Sequence, residues 1–145
     1  MFKSTFRYET TIDQPLDEVW GFFQCNKNLA KLTGFPKVDV SGPPIVKEGA
    51  VIHLRLHFRV LALRWRARII RVEDKHLFQD VGEKVPFPFR LWTHTHRFEA
   101  VSDKKTKMID EVVFSSWIPT PFVYIILFGM FCDRKRQIRK HGSLK

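Results

Sequence analysis

The stretch that decides the fold runs from Phe78 to Phe98, FQDVGEKVPFPFRLWTHTHRF. Its second half alternates. Trp92, His94, His96 and Phe98 fall on one face, and Thr93, Thr95, Arg97 and Glu99 fall on the other. A two-residue period is that of a β-strand. The aromatic face carries two imidazoles, while the opposite face carries groups suited to water. A strand that turns two histidines inward among aromatic rings lines a cavity more readily than a plain core. A ligand pocket is therefore the leading expectation.

The same alternation extends on both sides. Residues 2–12 form a first strand. Asp13 and Pro15 mark a helix start, and Leu16, Val19, Trp20 and Phe23 make one apolar stripe. A second short helix spans Asn28 to Thr33, stopped by Gly34 and Pro36. A short strand and the turn Gly42-Pro43-Pro44 follow within 37–47. In 50–60, Ile52, Leu54, Leu56, Phe58 and Val60 alternate with His53, Arg55, His57 and Arg59. In 63–73, Leu63, Trp65, Ala67 and Ile69 alternate with Arg64, Arg66 and Arg68. Pairing Phe58 with Trp65, across a turn at Leu61-Ala62, brings the apolar faces together. Further strands are expected at 77–81, 91–101 and 106–117, with a loop over Gly82–Arg90. The last element is a helix over about 121–140, with Thr120 as cap and Pro121 in its first turn. Phe122 to Cys132 is apolar almost all round. Ile118 to Cys132 is too short to span a bilayer, so a long buried helix is expected.

The 145 residues suit one domain, 1–145, with one core. An apolar content of 44%, including 14 Phe, excludes a disordered chain. Cys25 and Cys132 have no metal-ligand spacing and each sits in an apolar run, as a buried thiol would. The start, MFKSTFRYET, lacks the apolar core of a secretion signal, which points to a reducing cytoplasm. Lys and Arg number 25 against 15 Asp and Glu, a net charge of +10. Such a chain either attracts anionic partners or is merely soluble.

One strand, two short helices, about six antiparallel strands and one long helix make an α+β chain. A helix that apolar needs a curved sheet to grip it, and the space between them becomes a cavity. In this order, YETTIDQPLDEVWGFF, the FQD…PFPFRLWTHTHRF block, the MIDEVVF strand and the closing helix resemble the START-like SRPBCC superfamily. The resemblance covers essentially the whole chain. It implies the helix-grip fold, a curved antiparallel sheet wrapped around a long C-terminal helix. That group includes polyketide cyclase/dehydrase-like proteins and plant pollen-allergen-like lipid binders. The pattern F-x-D…P-F…W-x-H-x-H-x-F…D is similar to bacterial ligand-binding SRPBCC domains, with Val85 where a loop glycine is often found. The fold hosts carriers, sensors and enzymes alike, so it implies a cavity and no particular reaction.

A turn at Ser102–Lys105 that sets Val101 opposite Lys107 puts Phe98 opposite Asp110 and His96 opposite Val112. Asp110 is then diagonal to His96. With Asp80 beside Phe78, the expected pocket wall is Phe78, Asp80, Trp92, His94, His96, Asp110, Phe114 and Ser116. Three uses of this wall stand open. The carboxylates satisfy the histidines within the fold; the cluster orients a small, largely apolar ligand, lipid-like or polyketide-like; or a His–Asp pair is a general acid or base in a cyclase or dehydratase. His-x-His with carboxylates on other strands is a weak metal signal, so no metal or cofactor is expected. Phosphate loops, G-x-S-x-G, HExxH and CxxC do not occur.

The Arg-rich strand faces lack exposed aromatics, which argues against nucleic acid. An anionic membrane surface fits them better. Arg55, Arg59, Arg64, Arg66 and Arg68 share one face, Val60–Leu63 forms an apolar hairpin tip, and the chain's end adds Arg134, Lys135, Arg136, Arg139 and Lys140. Each such residue contributes about 1 kcal/mol near an anionic leaflet.

Overall fold

The computed structural model describes residues 1–34 and 36–140. Seven strands form one antiparallel sheet: β1 (Phe2–Ile12), β2 (Lys37–Ser41), β3 (Val51–Phe58), β4 (Leu61–Glu73), β5 (Leu77–Lys84), β6 (Phe89–Ser102) and β7 (Lys105–Ser116). Their order across the sheet is β1-β7-β6-β5-β4-β3-β2. Two short helices, α1 (Leu16–Phe23) and α2 (Asn28–Lys31), link β1 to β2, and α3 (Thr120–Lys140) closes the chain. This is the expected helix-grip architecture. Breaks in register on β4–β5 and β6–β7 supply the bend, because each extra residue in one strand curves the sheet.

The even-numbered residues of β6 and β7 point to the inner face of the sheet, as the alternation requires. Trp92, His94, His96, Phe98, Met108, Asp110, Val112 and Phe114 are all buried. The core falls into two parts. One gathers α1 and the far end of the sheet around Val19, Trp20, Phe78, Phe98 and Met108. The other gathers the first half of α3 around Val123, Leu127, Phe131, Trp92 and Phe114.

Several expectations need correction. Phe58 pairs with Leu61, not Trp65, and Trp65 pairs with Leu54 across a two-residue turn at Arg59-Val60. The slip is even, so the apolar and basic faces still coincide. The loop expected over Gly82–Arg90 is shorter, because β5 runs to Lys84 and β6 starts at Phe89. Val85 turns back over Gly82, where an added Cβ would run into Val85 Cγ1 and approach Trp92 Cβ. A side chain at 82 would have to displace Val85. Cys25 and Cys132 are half-buried rather than buried. Helix α1 has no side-chain cap, with Pro15 at its N-cap position, and α3 begins at Thr120 itself.

The largest correction concerns α3. Only Val123, Leu127, Phe131 and Ile138 are buried among its described apolar side chains. Their spacing of four, four and seven residues makes a narrow stripe, and a single sheet covers one side of a helix. Phe122, Ile125, Ile126, Phe128 and Met130 are exposed. No helix among the described residues is long and apolar enough to cross a membrane.

Candidate functional site

Between the two halves of the core lies a cavity of about 200 Å³. Ile52, Leu54, Leu56, Trp65, Ala67 and Ile69 wall it from β3 and β4, and Leu127, Met130 and Phe131 wall it from α3. Phe78, Asp80, Trp92, His94 and His96 wall it from β5 and β6, and Phe23, Asn26, Asn28, Leu29 and Thr33 from the segment around α1 and α2. Five of the eight expected wall residues therefore line the cavity. The other three sit behind it. Asp110 is buried under the two histidines, Phe114 packs with Trp92 in the core, and Ser116 accepts the Ile118 N–H at 3.1 Å.

The pairing of β6 with β7 differs from expectation by two residues. His96 lies directly opposite Asp110 and His94 opposite Val112. A tight turn at Asp103-Lys104 and the register break near Ala100 set this pairing. Because the slip is even, Asp110 stays on the inner face. Its partner is His94, whose Nε2 lies 2.8 Å from Asp110 Oδ1. The Nε2 of His96 lies 2.9 Å from Asp80 Oδ2, on the strand that pairs Asp80 with His94. The two imidazoles stack with ring centres 3.7 Å apart, and His96 also stacks on Phe78 at 4.2 Å. His94 meets Phe131 edge-on.

Sequence reasoning missed Arg134, which it placed in an exposed basic tail. Its Nη1 lies 3.4 Å from Asp110 Oδ1, and its guanidinium sits over the Phe131 ring at 5.1 Å. Arg134 lines the cavity as well. The signal was there: Arg134 follows Phe131 by three residues, so it continues the buried side of α3.

The electrostatics separate the two histidines. Burial pushes His94 down, and the neighbouring His96 pushes it further, against the pull of Asp110. Burial also pushes His96 down, but Asp110 and Asp80 together outweigh it and leave its pKa raised. The His96 Nδ1 contact with Asp110 Oδ1 is long, at 3.5 Å, and Nδ1 makes no hydrogen bond; that contact is charge attraction. Burial alone would raise the Asp110 carboxyl. The histidines and Arg134 hold it well below the usual carboxylate range.

This assigns protons. An ionised carboxylate only accepts hydrogen bonds, so His94 donates from Nε2 to Asp110. His94 is the ring kept neutral, so its Nδ1 is a bare acceptor. Among the described residues that Nδ1 has no partner. Asp80 and Asp110 thus stand beside His96, whose pKa they raise, and Asp110 also beside the Arg134 guanidinium. Asp80, His94 and His96 bring ligand-type atoms within 4.8 Å of one another. Both Nε2 atoms are spent on carboxylates, however, and Arg134 stands beside the cluster, so the arrangement does not suit a dication.

No family model and no curated protein sequence matches the chain. Solved structures do match it. An uncharacterized protein from Bacillus thuringiensis superposes with a TM-score of 0.76 at 15% identity, over 95% of this chain and 98% of that one. The Zhui aromatase/cyclase from Streptomyces sp. R1128 gives 0.71 at 12% identity, over 94% and 88%. Norcoclaurine synthase from Thalictrum flavum, in complex with dopamine and hydroxybenzaldehyde, gives 0.69 at 12%, over 98% and 90%. Likeness at such identities is likeness of fold. The fold they share with this chain is the helix-grip fold.

Proposed function

We propose that this helix-grip chain binds a small, neutral, largely apolar molecule and holds it by a single hydroxyl. The observation that carries this reading is the Asp110–His94 contact, which takes Nε2 and leaves Nδ1 free to accept, in a residue that lines a mainly hydrocarbon cavity. Apolar walls with a few placed polar groups are the usual form of a small-molecule site. An acceptor in such a site selects a ligand that can donate. The carboxylates and basic groups around it already pair with one another, which disfavours a charged ligand, since that would bring an unpaired charge out of water. The cavity is smaller than the roughly 300–1,000 Å³ of drug-sized sites, so one or two fused rings are the expected size. Norcoclaurine synthase, similar in fold, is seen with dopamine and hydroxybenzaldehyde, the second a neutral phenol.

The Asp110–His94 contact also supports a second reading, a cyclase or dehydratase. Nδ1 of His94 would take a proton from a carbon beside a carbonyl and return it to a hydroxyl, which leaves as water. Asp110 would stabilise the imidazolium through Nε2, as an orienting carboxylate does.

Calorimetric titration with naphthol and with methoxynaphthalene tests the binding reading. Naphthol is expected to bind at least about tenfold more tightly, because its methyl ether leaves the His94 acceptor unpaired. The preference should vanish in His94→Phe. Equal binding of both compounds to the native protein would refute the hydroxyl reading. Recovery of the native ligand by solvent extraction, then incubation with fresh protein, separates carrier from enzyme: a carrier returns it unchanged.

A further inference from the structure

The outer face of α3 is apolar where a water-facing helix should be polar. Phe122 is 59% exposed, Ile125 71% and Phe128 57%. Trp117, just before the helix, is 53% exposed and carries the Arg90 guanidinium over its ring. A contiguous patch of this kind on a soluble chain marks a surface that something covers.

The rest of the helix indicates what covers it. After Cys132 the chain turns basic, with Arg134, Lys135, Arg136 and Arg139 in its last turns. Arg134 is spent on Asp110, but Lys135, Arg136 and Arg139 have no ion pair among the described residues. Polarity thus changes along the axis of α3: apolar for three turns, cationic after. A second copy of the chain is a poor complement, since each copy carries +10. An anionic lipid surface is a good one. Its acyl boundary receives apolar side chains, its headgroups receive Lys and Arg, and Trp and Arg suit the level between them.

We propose that the protein docks on an anionic membrane surface through the outer face of α3, not through the β3–β4 hairpin. The hairpin presents only two large exposed apolar residues, Val60 and Leu61. Helix α3 presents more, and it is also a wall of the cavity. Met130 is both exposed and cavity-lining, so the docked face continues into the site. If the cavity binds an apolar ligand as proposed above, that continuity gives the ligand a path to and from the bilayer. The docking itself does not depend on that reading.

Co-sedimentation with phosphatidylcholine vesicles, with and without phosphatidylglycerol, tests the proposal on the full chain. The protein should pellet only with phosphatidylglycerol, and less as salt rises. The double variant Phe122→Ser, Ile125→Ser, at exposed positions outside both core clusters, should bind at least about tenfold more weakly. Leu61→Asp should bind as the native protein does. Circular dichroism and thermal melting check that each variant folds. Three results would overturn the proposal: no binding to phosphatidylglycerol vesicles at low salt, loss of binding in Leu61→Asp alone, or a native dimer by light scattering that the α3 variant dissociates.

Discussion

Asp110→Ala is expected to lower the unfolding free energy by about 3–5 kcal/mol, the usual cost of removing one partner from a buried ionic cluster. Asp110 is 1% exposed. It takes the Nε2–H of His94 and stands against His96 and Arg134. Alanine leaves His96 and Arg134 without this carboxylate and an imidazole N–H without an acceptor. Urea unfolding at neutral pH measures the loss, and a difference under about 1 kcal/mol would show the cluster to be solvated. The pH dependence has a definite sign. The folded-state pKa of Asp110 is depressed, so its contribution is present above the ordinary carboxylate value of about 3.9. It is lost as pH falls below that value. The native protein and the variant should therefore converge in acid.

Ala67→Phe should abolish naphthol binding, weakening it by more than about a hundredfold, or about 3 kcal/mol. Ala67 is buried on β4, opposite Ile52, and lines the cavity. A phenyl group there grows into existing space. The variant should therefore stay folded, within the 1–3 kcal/mol typical of an added core side chain. Titration calorimetry reads the affinity and thermal melting the fold. A folded Ala67→Phe variant that binds naphthol normally would place the ligand elsewhere.

Alternation alone made the pocket wall legible. Trp92, His94, His96 and Asp110 share a face in any register that differs by an even slip. Register itself was not legible. The turns at Arg59-Val60 and Asp103-Lys104 lack the glycine or asparagine that marks a tight hairpin, so each pairing was displaced by an even number of residues. Asp110 consequently moved from a diagonal neighbour of His96 to a position directly opposite it, with its hydrogen bond going to His94. Arg134 was hidden by composition, since it opens a run of cations that otherwise faces water. The outer face of α3 was misjudged for the opposite reason. A helix apolar all round reads as buried, but one sheet covers only the side bearing Val123, Leu127 and Phe131. Which proton sits on which imidazole nitrogen depends on partners from three strands and a helix, and no local pattern encodes it.

The division of labour between the two stacked histidines is the centre of the account. Nitrogen-15 NMR of the imidazole rings at neutral pH tests it most directly. His94 should show a protonated Nε2 and a bare Nδ1, with His96 protonated on both nitrogens, and added naphthol should shift the His94 Nδ1 resonance. A His94 ring that is charged, or neutral with its proton on Nδ1, would contradict the account.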